Sequence, residues 1–407
     1  MINRLTFIIF HPLTERDYVR YGIKKAIEKN YQVEILDCFS LYHPKKNRHL
    51  LQPEIKKNLK ISYISNIFDL KNKLNKYNNN DAVIVLYPQG AIFNLIIKML
   101  NILKVTAISV NAGVIPVPKA IRDESILKSI LRVIGAYSFR KIFTIVMSRF
   151  IQFLSYVILQ PKVTYFFYGG KYGLENASKV LKKAKNLVSL HCFDYDLYID
   201  QENIDKHYTK KLKTNKYAVF IDQNIFADPD IYLWGDSKKI KNKDKKDYYL
   251  QLNKLFNEIE KKFNYQIYIA AHPRADYSYD SSCFNSRRII YKDTINLIKY
   301  SELCILNYST AVNFAILYKK PIIIAEPHAL KNISSKQINE FSGAFSKALK
   351  IDKLVIKSDT IVEVNLPIVN EKIYSKYIAS YIKEANSQED YFWNCVYKEV
   401  DIQAKND

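Results

Sequence analysis

QIYIAAHPR, residues 266–274, and LCILNYSTAVNFAILYKKPIIIAE, residues 303–326, contain the pattern that predicts the fold. Three short apolar runs end abruptly in polar residues, and a run with helical spacing separates the last two. We interpret this order as strand, loop, strand, helix, strand, which is typical of a parallel α/β sheet. Ligands of such sheets bind outside the carboxyl ends of the strands. A site is therefore predicted where these apolar runs end.

The residues that follow the first two runs are suited to binding an anion. His272-Pro273-Arg274 follow the first run, and Asn307-Tyr308-Ser309-Thr310 follow the second. Ser309 or Thr310 is predicted to cap a helix over residues 311–318, whose free N–H groups and dipole favour negative charge. We expect one imidazole, one guanidinium and one helix N-terminus to converge on a phosphate group.

Length and composition limit the class of protein. A chain of 407 residues is too long for one ordinary core, so two domains are expected. The net charge of +22 favours anionic partners: a nucleotide, an acidic glycan, nucleic acid or a membrane surface. The five cysteines show no CxxC spacing, which argues against a zinc site or a disulfide framework and predicts a cytoplasmic protein. With no run of about 18 apolar residues, no transmembrane helix is expected.

Apolar strands also alternate with helices through the first half of the chain. Strands are predicted at residues 5–10, 31–39, 82–87, 105–110 and 163–168. Neither GxGxxG nor GxxxxGK[ST] occurs, so the dinucleotide-binding and P-loop interpretations lack their motifs. The predicted fold class is α/β, with two doubly wound, Rossmann-like domains.

Changes in composition suggest where these domains meet. Residues 201–215, QENIDKHYTKKLKTN, are polar and charged without an apolar period, as in a linker. We therefore predict an N-terminal domain over 1–200, a C-terminal domain over 216–375 and a helical tail over 376–407.

Residues 123–160 depart from the alternating pattern. They are strongly apolar, with apolar residues at three- and four-residue steps, and they carry interspersed basic residues: Lys128, Arg132, Arg140, Lys141 and Arg149. One interpretation is a pair of helices that cover the core. The other is a cationic amphipathic surface that lies on the inner leaflet of an anionic membrane, so that the protein is peripheral to the inner membrane.

Glycines cluster at one place, where Gly169, Gly170 and Gly173 follow the strand predicted at 163–168. The chain has only nine glycines, so the cluster predicts a tight turn or a close approach of backbone to a ligand. We include Gly169 and Gly170 among the candidate nucleotide-binding residues, beside the alternative of a plain turn.

The second half of the chain resembles a known group of enzymes. A second α/β domain with strand-His-Pro and, about 35 residues later, strand-Ser/Thr-helix is similar to bacterial GT-B glycosyltransferases that use CMP-activated acidic sugars. These include the lipooligosaccharide sialyltransferases, the polysialyltransferases and the capsule Kdo transferases. The matching residues are His272-Pro273 and Ser309-Thr310, so the resemblance is confined mainly to the C-terminal half.

The resemblance implies a GT-B transferase whose two domains face a cleft. A CMP-activated, sialic-acid-like nonulosonate would bind the C-terminal domain, and a lipooligosaccharide, capsule or O-antigen acceptor would bind the N-terminal domain. Transfer would be inverting and would need no metal and no cofactor besides the donor. Two sequences of DxD form, Asp194-Tyr195-Asp196 and Asp228-Pro229-Asp230, arise often by chance, and we assign no metal to them.

The chemistry of that reaction suggests a role for each residue. His272 would act as general acid toward the leaving phosphate, with donors from Ser309 and Thr310 and a fixed charge from Arg274. The family motif of two acidic residues and a glycine is absent, and the nearest counterpart is Asp222-Gln223. Asp222 is accordingly the first candidate for the catalytic base, and Glu326 is a candidate ligand of ribose hydroxyls. Weaker candidates for the base are Asp228, Asp230 and Glu15.

Other functions are compatible with the same pattern. Teichoic-acid CDP-glycerol transferases have similar elements but usually place an Asp where this chain has Asn307, and an epimerase of GT-B type is a further alternative. A non-enzymatic basic module that binds nucleic acid or acidic polysaccharide would concentrate aromatic and basic residues on one surface. The 32 tyrosines are instead spread along the chain, so we expect no nucleic-acid partner.

Overall fold

The computed structural model describes residues 2, 4–43, 59–86, 90–117, 139–203, 216–226, 242–278, 281–333 and 336–403. Contacts divide the chain into two compact units. The first takes its described residues from Met1–Val114, Asp123–Phe193 and Lys383–Asp407, and the second takes them from Ile115–Arg122 and Asp194–Ile382. This division falls at Phe193–Asp194, before the linker that composition predicts. Residues 204–215 of that linker lie outside the described residues.

The first unit contains a parallel sheet of seven strands in the order β3-β2-β1-β4-β5-β6-β7. Its strands are β1 (Arg4–Ile9), β2 (Gln32–Asp37), β3 (Ile61–Tyr63), β4 (Asp81–Leu86), β5 (Thr106–Asn111), β6 (Tyr165–Gly169) and β7 (Asn186–Leu190). Every residue of β4 is buried, which is typical of a parallel strand covered on both faces. β3 is not among the strands that the sequence predicts.

Alternate side chains of these strands enter two different cores. Leu5 and Phe7 belong to one apolar cluster with Trp393, whereas Ile8 belongs to the other with Leu100. Helices cover both faces of the sheet: Glu15–Arg20, Ile23–Glu28, Phe39–Tyr42, Ile67–Leu74, Gly90–Ile102, Phe139–Leu159, Gly170–Glu175, Lys179–Lys182 and, from the C-terminal tail, Phe392–Gln403. The first two are separated at Gly22, which adopts a φ of 74° between them.

The second unit contains a parallel sheet of six strands in the order β10-β9-β8-β11-β12-β13. Its strands are β8 (Tyr217–Ile221), β9 (Gln266–Ala270), β10 (Arg288–Ile290), β11 (Leu303–Leu306), β12 (Ile322–Pro327) and β13 (Lys353–Ile356). Its helices are Phe193–Asn203, Asn242–Phe263, Thr294–Tyr300, Val312–Leu317, Leu330–Ile333, Lys336–Leu349 and Glu371–Tyr377, with shorter turns at Ser281–Phe284 and Ile378–Ile382. Two doubly wound parallel sheets are present, so the predicted fold class of two Rossmann-like domains is confirmed.

One predicted strand of the second unit is wrong. The sequence IVEV at 361–364 predicts a strand, but the last strand of the sheet is β13, at Lys353–Ile356. Residues 361–364 form no strand, although Val362 and Val364 enter the apolar core and Ile361 is exposed. The β-propensity of this segment thus reflects side-chain burial rather than pairing with a neighbouring strand.

Among the described residues, no helix combines the length and the hydrophobicity needed to cross a bilayer. The predicted apolar region 123–160 is described only from residue 139, where one helix runs from Phe139 to Leu159.

Candidate functional site

The carboxyl ends of β9, β8 and β11 are the place where the sequence predicts a site. β8 lies between β9 and β11, so the strand ends that carry His272 and Ser309 flank a third strand end. Extending the β8–β9 register by one residue and the β8–β11 register by two places Asp222 level with both Ala271 and Asn307. Because neighbouring strands lie about 4.8 Å apart, the outer two ends are separated by about 10 Å. β8 and β11 form the topological switch point, where doubly wound sheets bind ligands.

Asp222 stands at the centre of this edge and is almost fully buried. Its Oδ1 accepts the backbone N–H of Asn224 at 3.1 Å. Its Oδ2 accepts the backbone N–H of His272 at 3.2 Å and the hydroxyl of Tyr277 at 2.8 Å. One carboxylate therefore fastens the end of β8 to the loop that follows β9.

Burial raises the pKa of Asp222 above its ordinary value of 3.8, because a desolvated carboxyl group resists ionisation. The hydrogen bonds from Asn224, Tyr277 and His272 act in the opposite direction, since they stabilise the carboxylate. The raised pKa shows that burial outweighs them. A raised pKa is expected of a catalytic base, whereas three accepted hydrogen bonds are expected of a residue that positions its neighbours. The role of Asp222 as catalytic base therefore stays a prediction.

The His272 loop is a tight turn built on its own backbone. Ala275 N–H donates to the carbonyl of His272 at 2.8 Å, and Arg274 N–H donates to Nδ1 of the imidazole at 3.3 Å. Because Nδ1 accepts, the neutral ring carries its proton on Nε2. His272 and Arg274 are half-buried and Pro273 is exposed. The ring is thus oriented as a hydrogen-bond donor through Nε2.

Asn307 is fully buried, and both ends of its amide are engaged. Oδ1 accepts the hydroxyl of Tyr248 at 3.0 Å, and Nδ2 donates to the carbonyl of Ala325. The side chain therefore braces the end of β11 against β12 and against the helix Asn242–Phe263. Its observed contacts support the turn at 308–310 and are not directed at a ligand.

Ser309 and Thr310 are half-buried residues of that turn. The predicted helix over 311–318 is confined to Val312–Leu317, and its N-cap is Ala311, which makes no side-chain capping bond. Neither hydroxyl residue is the N-cap, so that prediction is wrong. Ser309 Oγ instead accepts the N–H of Ala311 at 3.2 Å, one step earlier, because an extra turn precedes the helix. The short helix gives little support to the expectation that its dipole binds an anion.

Glu326 lies in β12 and is buried. Its Oε2 forms an ion pair with Lys353 of the neighbouring strand β13 and accepts the hydroxyl of Ser342 at 3.4 Å. These contacts satisfy the carboxylate within the protein. They favour a structural role for Glu326 over the predicted binding of ribose.

Gly169 and Gly170 belong to the first unit, at the end of β6, whereas the other predicted nucleotide-binding residues belong to the second. A Cβ atom on Gly169 would lie 2.7 Å from backbone atoms of His191 and Cys192. Gly170 adopts a φ of 65°, which favours glycine. Close packing against the end of β7 and a tight turn therefore explain both glycines.

The other acidic residues considered in the sequence do not form a cluster among the described residues. Glu15 is an exposed residue in the first turn of the helix Glu15–Arg20. Asp194 lies within the helix Phe193–Asn203 and accepts a hydrogen bond from Asn313 at 2.9 Å. Asp228 and Asp230 lie outside the described residues.

Sequence reasoning missed a cavity in the first unit. Its volume is about 710 Å³, and it lies at the carboxyl ends of β4 and β5. The polar and aromatic groups on its wall include Tyr21, Tyr42, Asn111, Gln152, Asn176 and Phe193. None of the described lining side chains carries a formal charge. These six residues come from six separated places in the chain, so no local pattern reveals the cavity. The hydroxyls of Tyr248 and Tyr277, which brace the other site, were missed for the same reason.

Comparisons with known proteins give only distant similarities. No family model and no curated protein matches the chain. Among solved structures, the wall teichoic acid polymerase TagF with CDPG is 13% identical over 99% of this chain and 90% of that chain, with a TM-score of 0.49. S. aureus MnaA with UDP is 12% identical over 100% and 97%, with a TM-score of 0.46. UDP-GlcNAc 2-epimerase from Neisseria meningitidis with UDP-GlcNAc is 12% identical over 99% and 99%, with a TM-score of 0.43.

Proposed function

We propose that the chain is a nucleotide-sugar-dependent glycosyltransferase of GT-B type. The proposed site for the donor's phosphate is the carboxyl edge of β9, β8 and β11. One observation carries the proposal: Asp222, the His272 turn and the turn at 308–310 stand on three consecutive strand ends at a switch point. A doubly wound domain binds its ligand at that position, and this one has no glycine-rich phosphate loop to do so. Side chains therefore supply the donors for the phosphate.

The residues can assist departure of a nucleotide. As the bond between the anomeric carbon and the phosphate oxygen breaks, the electron pair moves to the phosphate and the sugar acquires oxocarbenium character. Because Nδ1 accepts the N–H of Arg274, His272 assists as a hydrogen-bond donor through Nε2 to that oxygen rather than by losing a proton. The hydroxyls of Ser309 and Thr310 and the charge of Arg274 stabilise the same developing negative charge.

The acceptor supplies the other half of the reaction. Its hydroxyl oxygen forms the new bond to the anomeric carbon from the opposite face, which inverts the configuration, and its proton passes to a carboxylate. Asp222 is the first candidate, since burial raises its pKa. Its three accepted hydrogen bonds support a second role in the same reaction: it holds the His272 turn in place.

The cavity of the first unit suits a glycan acceptor. Sugars are recognised by hydroxyl and amide groups together with aromatic faces, and the wall supplies both kinds of group. The absence of formal charge among its described lining residues favours a neutral part of the acceptor there. A lipid-linked or surface glycan meets this requirement where its growing end is a neutral sugar.

The favoured donor is a CMP-activated, sialic-acid-like sugar. The support is the resemblance of His272-Pro273 and Ser309-Thr310 to the motifs of the transferases that use such donors. The CDP-glycerol alternative has less support, because those transferases usually place an Asp where this chain has Asn307.

A thermal-shift panel of CMP, CDP, UDP, GDP and ADP tests the donor, because a ligand of the folded state raises the melting temperature. We expect CMP to give the largest rise. Selective stabilisation by UDP would discredit the cytidine assignment and leave the transferase proposal standing. A second assay follows release of CMP from a CMP-nonulosonate in the presence of glycan. The variant His272→Ala should lose this turnover while keeping its melting temperature, whereas a polyanion-binding module would hardly respond.

A further inference from the structure

The helix Phe139–Leu159 has an apolar side that faces solvent. Phe150, Phe153, Leu154, Val157 and Ile158 are all exposed, with Ile158 at 72%. Their spacing of three, one, three and one residues is the spacing with which a surface helix normally buries its apolar stripe in a core. Here the stripe is on the outer side, and we call these five residues the outer stripe.

The opposite side of this helix packs against the protein. Asn94, in the helix Gly90–Ile102, donates to the hydroxyl of Ser155 at 2.8 Å and to the carbonyl of Gln152 at 3.4 Å. Tyr156 packs against the apolar cluster beneath. Over residues 147–159, the part of this helix whose side chains are described, polar groups therefore hold the inner side and apolar side chains face outward. Because the inner side packs against the helix Gly90–Ile102, only the outer side is available to a partner. The surface of that partner must lie parallel to the axis of the helix Phe139–Leu159.

The sequence around the outer stripe is basic. Residues 125–174 contain no Asp or Glu, and their basic residues are Lys128, Arg132, Arg140, Lys141, Arg149, Lys162 and Lys171. A groove of about 510 Å³ beside the helix is lined by Tyr156 and Val157 together with Lys162, Lys183 and Lys185. These three lysines are exposed. An apolar stripe beside lysines matches the acyl chains and headgroups of an anionic bilayer.

We infer that the outer stripe and these lysines dock the protein on an anionic membrane surface. The helix lies in the plane of the interface, with the outer stripe among the upper acyl chains and the lysines near the lipid phosphates. Charge decides between this partner and a second copy of the chain, because a symmetric contact through the stripe would bring two sets of basic residues together. The inference does not depend on the reaction, although Gln152 and Ile151 of the same helix also line the proposed acceptor cavity.

Co-flotation of the full chain with vesicles tests this inference. The vesicles contain phosphatidylcholine alone or phosphatidylcholine with phosphatidylglycerol, at low and high salt. We expect binding to the anionic vesicles, weakened by salt because screening acts on the lysines. The double variant F150S/F153S should bind those vesicles about tenfold more weakly, since two exposed apolar side chains are removed. The double variant K183Q/K185Q should lose about fivefold per lysine on anionic vesicles alone.

A matched control distinguishes vesicle binding through this helix from vesicle binding through any exposed apolar side chain. Ile361 and Ile368 are exposed at 86% and 96% and belong to the second unit, so I361S/I368S should bind like the wild type. Equal recovery with both kinds of vesicle, or equal loss in the two serine variants, would overturn the inference. Dimerisation abolished by F150S/F153S without any vesicle binding would also overturn it, in favour of a second copy as the partner.

Discussion

Replacing Asp222 with Asn removes one charge and one acceptor from the centre of the proposed site. The carboxylate accepts three hydrogen bonds, from Asn224 N–H, His272 N–H and the Tyr277 hydroxyl. An amide has one oxygen, and its NH₂ group faces at least one of these donors. Asp222→Asn therefore leaves at least one buried donor without an acceptor. We expect a loosened His272 turn, lower stability and lower activity.

The size of the effect follows from the contacts. A hydrogen bond to a charged group contributes about 1.5–3 kcal/mol, and relief of the buried charge offsets part of that loss. A net loss of about 2 kcal/mol in the free energy of unfolding is expected for Asp222→Asn. In a unit of this size, 1 kcal/mol lowers the melting temperature by about 2–4 °C, so the second unit should melt about 4–8 °C lower. The matched control is Asp276→Asn, an exposed residue in the same loop, for which no measurable shift is expected.

The effect of Asp222→Asn on stability depends on pH. The pKa of Asp222 is raised in the folded state, so the folded protein holds this proton more tightly than the unfolded chain does. Its contribution to stability is greatest below the ordinary pKa of 3.8 and falls as pH rises from 3.8 through the raised pKa. The stability difference between wild type and Asp222→Asn should therefore shrink with rising pH in that window. A difference that grows with pH would refute the reasoning, because the hydrogen bonds would then outweigh burial.

Activity separates the two roles of Asp222. If the residue only positions the His272 turn, Asp222→Asn should lower kcat about a hundredfold, as expected for a misplaced catalytic group, and the acid limb of the pH–rate profile should persist. If Asp222 is the base, that limb should disappear together with the activity.

Three further predictions concern other parts of the molecule. Gly169→Ala should lower the free energy of unfolding by about 1–3 kcal/mol, because its Cβ would lie 2.7 Å from backbone atoms. The control Gly343→Ala, with open space around the new Cβ, should not lower it. Equal melting temperatures of the two variants would contradict the close packing at Gly169. Cys283 should react with a thiol reagent in the native protein at mildly alkaline pH, and Cys304 should not, because burial raises the pKa of Cys304 to about 12; mass spectrometry that finds Cys304 labelled first would refute this. Glu326→Gln should lower the melting temperature and leave nucleotide affinity unchanged, since its contacts are internal; a selective loss of affinity would restore the ribose-binding role.

The two sheets could be predicted because their strands are continuous apolar runs. Parallel strands buried on both faces, such as β8 and β11, differ clearly from the polar residues that follow them. The doubly wound order then places the strand ends at one edge, which made Asp222 and His272 candidates. Local patterns were sufficient for this part of the fold.

Pairing and long-range contacts could not be predicted in the same way. The choice between residues 353–356 and 361–364 as the last strand depends on pairing with β12, which no local propensity reports. The turn before Val312 displaces Ser309 from the cap position, and only the structure shows it. Tyr277 reaches Asp222 across 55 positions, and nothing in its neighbourhood distinguishes it from the other tyrosines.

The most direct test of the proposed phosphate site compares CMP with cytidine by calorimetry on the wild type and on His272→Ala. The two ligands differ by the phosphate alone, so the ratio of their affinities isolates the group that the strand ends are proposed to bind. We expect CMP to bind the wild type more tightly than cytidine, and this advantage to fall about tenfold or more in His272→Ala, with cytidine affinity unchanged. An undiminished advantage in His272→Ala, or no preference for CMP in the wild type, would contradict the proposed site.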